Sequence, residues 1–189
     1  MKKINIIWVL IAINVLCFAI PREYYPLLTI HPEQREIGHI LLGMFGHMFM
    51  HENVFHLILN MGFLYFMGEM LVLYISKWEI LINYISIGLG VGLFYFGCYL
   101  SKENPPYLIG SSGVLFGFIS YLGHVAPRKK LIVLYLFKME LFFFSLGMLL
   151  IELIALVSEM TTNVGGTMAH CFGWGLGLFF AVLSSSKKF

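Results

Sequence analysis

The sequence predicts an all-α polytopic membrane protein: six transmembrane helices in one bundle, with a long, partly embedded first loop. Three observations carry that expectation. Hydrophobic residues make up 59% of the chain and charged residues 12%, with a mean hydropathy of +0.85; no soluble domain needs that much apolar surface. Six apolar stretches, 4–20, 54–76, 80–100, 107–125, 139–157 and 167–183, meet or approach the ~20 residues that a helix needs to cross a bilayer. Lysine and arginine, finally, divide unevenly between the two sides that these stretches define. With the N-terminus inside, the inner side holds Lys2, Lys3, Lys77, Arg128, Lys129, Lys130, Lys138, Lys187 and Lys188. The outer side holds Arg22, Arg35 and Lys102. Basic residues favour the cytoplasmic side, so both termini are expected there. Residues 1–189 are expected to form a single six-helix membrane domain.

Taken in order, Lys2-Lys3 and the apolar run after them resemble a signal peptide. No small-residue cleavage site follows and Pro21-Arg22-Glu23 ends the run, so it reads as a retained first span. The linker 21–53 is long, and carries Pro21, Pro26 and Pro32. Its glycine-broken run Leu41-Leu42-Gly43-Met44-Phe45-Gly46 is too short to span and suits an interfacial or re-entrant segment. The other linkers are short. Cys17, Cys98 and Cys171 lie in apolar runs without framework spacing, and read as buried thiols. A net charge of +2 gives no reason to expect a nucleic-acid partner.

The polar step Gly110-Ser111-Ser112-Gly113 opens the fourth apolar stretch. A serine there is ordinarily an N-cap; Ser112 is also a candidate nucleophile. Ser112 lies 16 residues before Arg128, about 24 Å of helix. It should therefore sit several ångströms below the outer surface of a hydrocarbon core about 30 Å thick. His170 lies 17 residues before Lys187 and Asn60 lies 17 before Lys77, which gives three polar side chains on three helices similar depth. A polar cluster inside a membrane is a functional-site hypothesis by default. Gly113 and Gly117, and likewise Gly173 and Gly177, form small-xxx-small faces that let helices approach closely. Packing the two faces together would bring Ser112 near His170.

A serine becomes a useful nucleophile when a histidine takes its proton. All ten acidic residues are Glu, so a Ser-His-Asp triad cannot be built. Glu69 is expected too near the inner side to orient His170. Glu152 has a suitable depth, but a helix-packing or interfacial role is preferred, and the reading is a Ser112–His170 dyad. Phe116, one turn below Ser112, could stack on the imidazole; a core aromatic is its ordinary role. His56 and Asn60 share a helix face at i, i+4 and with the backbone N–H of Ser112 make a plausible oxyanion hole. Taken alone, His56 and Asn60 read equally as interhelical hydrogen-bonding groups.

His47, His51 and His56 raise metal binding. A zinc protease places His-Glu-x-x-His on one helical face; here His51-Glu52-Asn53-Val54-Phe55-His56 has one residue too many. Five residues turn His56 about 140° away from His51. Metal binding stays a minor alternative, no metal ligand or cofactor is assigned, and His47 and His51 are expected to brace the first loop.

The run 110–113, together with Ala169-His170-Cys171-Phe172-Gly173-Trp174-Gly175-Leu176-Gly177 and His47-x-x-x-His51-x-x-x-x-His56-x-x-x-Asn60, resembles the rhomboid family of intramembrane serine proteases. Gly-x-Ser-Gly is weak alone; three motifs in this order on the second, fourth and sixth spans are specific. The resemblance covers about residues 5–184. It implies Ser112 as nucleophile, within a motif flanked by Gly110 and Gly113, and His170 as general base. His56 and Asn60 would be oxyanion donors. The substrates would be single-pass membrane proteins cleaved near the outer end of their transmembrane helix, and the compact form implies a bacterial inner membrane. Two positions depart from the family pattern: Leu42-Gly43 stands where many relatives carry Trp-Arg, and Val72 where many carry Glu. A non-catalytic binder of membrane helices on the same scaffold is the rival expectation, with a metal-dependent membrane protease behind it.

Overall fold

The computed structural model describes residues 5–31, 36–100, 102, 106–133, 136–158, 160 and 163–186. Lys2, Lys3, Pro32, Arg35, Lys187 and Lys188, used above, lie outside the described residues, as do Glu159, Thr161 and Thr162.

The chain opens with α1 (Ile6–Phe18), whose Asn5 side chain accepts a hydrogen bond from the Ile7 N–H and caps the first turn. Asn5 also donates to the Glu69 carboxylate at 2.6 Å, tying the start of α1 to the apolar stretch that holds Glu69. Beyond Pro21 the path bends by 103° into a 3-10 turn (Arg22–Tyr24) and the single turn α2 (Tyr25–Leu28). Next comes α3 (Ile37–Gly46), which leaves Ile37, Leu41, Leu42 and Phe45 exposed while Gly43 packs against the Thr29 carbonyl. An apolar helix of this length, open on one face, is the form the glycine-broken run takes.

Asn53 caps α4 (Val54–Leu71) through the His56 N–H at 2.8 Å. A reciprocal capping box between Ser76 and Glu79 opens α5 (Lys77–Tyr99). Helix α6 (Ser112–Val125) is the axis of the bundle, with every residue from Gly113 to Gly123 buried. Helix α7 (Leu141–Val157) lies at the periphery, and α8 (Val164–Ser186) packs against α6 in the largest helix–helix contact of the molecule. That contact is possible because Gly173 and Gly177 face the backbone carbonyls of Gly113 and Gly117 directly. A Cβ on either α8 glycine would overlap the facing oxygen.

Two segments differ from the sequence expectation. Residues 107–111 belong to no helix: Leu108 pairs with Ile30 in an antiparallel bridge and the Gly110 N–H donates to the His47 carbonyl at 2.8 Å. The extended path docks the first loop onto the bundle and delays the helix to Ser112. The linker between the fourth and fifth stretches contains a hairpin, β1 (Lys130–Val133) paired with β2 (Phe137–Glu140), Leu131 opposite Met139. Its apolar run is too short for a helix and sits between Pro127 and the start of α7, where pairing satisfies the backbone.

Helices α4, α5 and α8 are long and apolar enough to cross a membrane, and α1 with its bent continuation passes the same test as a pair. The apolar helices α6 and α7 are shorter, at 14 and 17 residues.

Candidate active site

Ser112 is the first residue of α6, and three local facts put it there. Gly110 has φ +111°, a backbone that side-chain-bearing residues rarely adopt, and this turns the chain sharply before the helix. A Cβ at Gly110 would lie 2.8 Å from the His56 ring, so the glycine also lets α4 close on the loop. Ser111 occupies the N-cap position but makes no side-chain cap bond; its hydroxyl donates instead to the Asn60 amide oxygen at 3.1 Å. The Ser112 N–H, first in the helix, has no carbonyl four residues back to bond within it, and the helix dipole there favours negative charge.

His170 comes from α8, one turn above Gly173. Its Nε2 lies 2.8 Å from Ser112 Oγ. Its Nδ1 lies 2.9 Å from Glu152 Oε1 on α7. Phe116, one turn below Ser112 on α6, stacks on the imidazole with centroids 4.5 Å apart and planes 4° from parallel. The ring is thus engaged at both nitrogens and on one face. Three helices contribute, and the glycine contact between α6 and α8 sets their spacing.

His56 and Asn60 line the same cavity of about 270 Å³ as Ser112, Phe116 and His170. The Asn60 side chain donates one N–H to the His56 carbonyl at 2.8 Å. With its oxygen engaged by Ser111, its second N–H is the group left to point elsewhere. Gly113 lies in the α6–α8 contact and supports the geometry without a side chain.

His47 and His51 serve the first loop. His47 is fully buried, its Nε2 donating to the Gly88 carbonyl of α5 at 3.1 Å. His51 is also buried, with Nδ1 on the Phe49 carbonyl at 3.3 Å, and its ring meets His56 edge-on at 5.2 Å. Desolvation pushes the pKa of both His47 and His51 down to about 4, with the His56 charge adding to the effect on His51. Among the described residues no group of three or more His, Cys, Asp or Glu gathers as a metal-binding set.

Two residues gain contacts that the sequence reading did not foresee. Ser111, where a serine is ordinarily an N-cap, fixes Asn60. Glu152, taken as a packing or interfacial residue, reaches the imidazole. A carboxylate in an apolar helix signals that it needs a partner, but not which one; Ser145 and Glu152 stand two turns apart on α7, and His170 and Trp174 one turn apart on α8. The structure joins them as two rungs, the Trp174 indole N–H donating to Ser145 at 2.9 Å and His170 meeting Glu152.

A family model described as the rhomboid domain matches residues 38–187, a stretch that holds Ser112, His170, His56, Asn60 and Phe116. No curated protein matches the chain. With that match over most of its length and a bundle of apolar helices able to cross a membrane, the chain belongs to the rhomboid family of integral membrane proteins.

Proposed function

We propose that this protein is an intramembrane serine endopeptidase that cleaves transmembrane segments of other membrane proteins. The observation that carries the reading is the 2.8 Å approach of Ser112 Oγ to His170 Nε2, at a helix start that opens into a cavity inside an apolar bundle. Six helices, α1 and α4 to α8, would span the bilayer as one domain with both termini in the cytoplasm, and the membrane would be a bacterial inner membrane. Helix α6, at 14 residues, is about 21 Å long. It falls short of a ~30 Å hydrocarbon core, which leaves room for water above Ser112.

His170 Nε2 takes the Ser112 hydroxyl proton as Oγ attacks the scissile carbonyl carbon. The carbonyl oxygen becomes an oxyanion, met by the Ser112 N–H, His56 and Asn60. The C–N bond then breaks, His170 returns the proton to the leaving amine, and an ester on Ser112 remains. Water, deprotonated by His170, clears that ester and restores the serine. No cofactor enters this sequence.

An intact helix keeps its carbonyls in its own hydrogen bonds, so the substrate should enter locally unwound, and small or helix-breaking residues near the cut should favour it.

The test is a purified preparation in detergent acting on a transmembrane reporter. Ser112→Ala and His170→Ala should each abolish cleavage, a chelator should leave it intact, and replacing helix-breaking residues in the reporter should slow it. Activity surviving Ser112→Ala would sink the proposal, and loss with chelator would favour the metal enzyme. No cleavage of any reporter, with no serine labelling by a phosphonate, would favour a membrane-helix binder.

A further inference from the structure

We infer that Glu152 is a positioning residue for the His170 base, so that the unit is a Ser112–His170–Glu152 triad and not a bare dyad. The inference rests on the serine-protease reading above and adds a third group to it.

Helix α7 is the most lipid-facing of the long helices. Leu150, Ile151, Leu153 and Ile154, on either side of Glu152, are all exposed. Yet the Glu152 side chain is only 17% exposed, turned inward against a His170 side chain that is 22% exposed. A carboxylate within a membrane-spanning segment is costly and is retained where it has a partner. Among the described residues no lysine or arginine pairs with this one; its partner is His170 Nδ1. Were the position needed for packing alone, an apolar residue like its neighbours would fill it without that cost.

The geometry assigns the carboxylate a chemical task. An ionised carboxylate only accepts hydrogen bonds, so the imidazole nitrogen facing it carries the proton. In a neutral imidazole the other nitrogen is then the acceptor. That nitrogen is Nε2, 2.8 Å from Ser112 Oγ. Glu152 thus holds His170 in the one tautomer able to receive the serine proton. Phe116 fixes the ring plane by stacking, and Glu152 fixes its rotation within that plane. During attack His170 becomes an imidazolium, and the adjacent negative charge stabilises it where water is scarce. The proton stays on the imidazole and passes to the leaving amine; Glu152 ends each cycle unchanged.

The full chain in detergent, with Glu152→Gln, Glu152→Leu and Glu152→Asp, provides the test. A glutamine can turn its NH2 toward Nδ1 and select the wrong tautomer. Glu152→Gln and Glu152→Leu should lower kcat by at least about tenfold, as for an impaired general base, with KM nearly unchanged and the thermal midpoint close to wild type. Phosphonate labelling of Ser112 should slow in parallel. Glu152→Asp, keeping the charge on a shorter arm, should recover part of the rate. In 15N-histidine NMR spectra the wild-type His170, identified by its absence in His170→Ala, should be protonated at Nδ1. Glu152→Leu should shift population to the Nε2-protonated form. Wild-type kcat and labelling in Glu152→Gln would overturn the inference, as would an Nε2-protonated His170 in the wild type, a reading independent of whether any Glu152 variant folds. Inactive Ser112→Ala and His170→Ala beside a fully active Glu152→Gln would remove only the role of Glu152; an active Ser112→Ala would remove the protease reading itself.

Discussion

Asn60 shows how much a single side chain near the cavity depends on its neighbours. Its amide oxygen is held by the Ser111 hydroxyl and one N–H by its own helix, which leaves a single donor and fixes where it can point. Removing that donor with Asn60→Ala should lower kcat by about a hundredfold or more, as the proposed oxyanion role requires. Ser111→Ala acts one step further out. It leaves a buried acceptor unsatisfied, which costs about 1–3 kcal/mol, and frees the amide to turn. The expected result is a lower thermal midpoint together with a smaller fall in kcat than Asn60→Ala gives. Equal kcat for Ser111→Ala and wild type would show that Asn60 needs no such support. Ser111 and Ser112 are adjacent and chemically identical, yet one faces α4 and the other α8, because the first precedes the helix and the second begins it.

At the scale of elements, the α6–α8 contact is the part on which the site's geometry depends. Backbone meets backbone at Gly113–Gly173 and Gly117–Gly177, and Ser112 and His170 ride on one end of that seam. An added methyl group has nowhere to go, since the atoms it meets are carbonyl oxygens and not flexible side-chain ends. Gly173→Ala and Gly177→Ala should each destabilise the fold by about 1–3 kcal/mol through overpacking, read as a lower midpoint of unfolding in detergent. Gly173→Ala should also lower kcat sharply, because it widens the seam one turn from His170, and a misplacement of about 1 Å can cost a hundredfold. Gly175→Ala is the control. Nothing lies within 4 Å of a Cβ there, and alanine favours helix over glycine by about 1 kcal/mol, so its midpoint should stay or rise. A drop at Gly175 equal to that at Gly173 would show that the seam is not special.

For the molecule as a whole, two buried histidines of the first loop, His47 bonded across to α5 and His51 packed on His56, give the fold a pH dependence. His47 and His51 keep pKa values of about 4 when folded, against about 6.5 in an unfolded chain. Below pH 6.5 the unfolded state binds protons that the folded state refuses, so stability falls as pH drops from about 6.5 to 4 and levels off below that. The upper bound is about 3 kcal/mol per histidine. Unfolding midpoints measured across that interval should decline, and His47→Gln, which keeps a donor for the Gly88 carbonyl without titrating, should flatten the slope. An unchanged slope in that variant would place the dependence elsewhere.

The sequence by itself determined what lies close along the chain or repeats with helical period. Hydropathy marked the apolar stretches, the spacing of His56 with Asn60 and of Ser112 with Phe116 defined shared faces, and the glycine pairs named the faces able to touch. Three motifs in order were enough to indicate the rhomboid family. Helix limits shifted where tertiary contacts override local preference: 107–111 is apolar enough for a span, but pairing with Ile30 and His47 holds it extended. The hairpin at 130–140 was hidden because its strands are four residues each, too short to show a period. Tertiary structure alone decided the partners of Ser111 and Glu152. A carboxylate in an apolar helix announces that it needs a partner, but the partner depends on the rotation of α7 about its axis. That rotation is set by Ser145 and Trp174 at one rung and by Glu152 and His170 at the other, between helices that no local pattern relates.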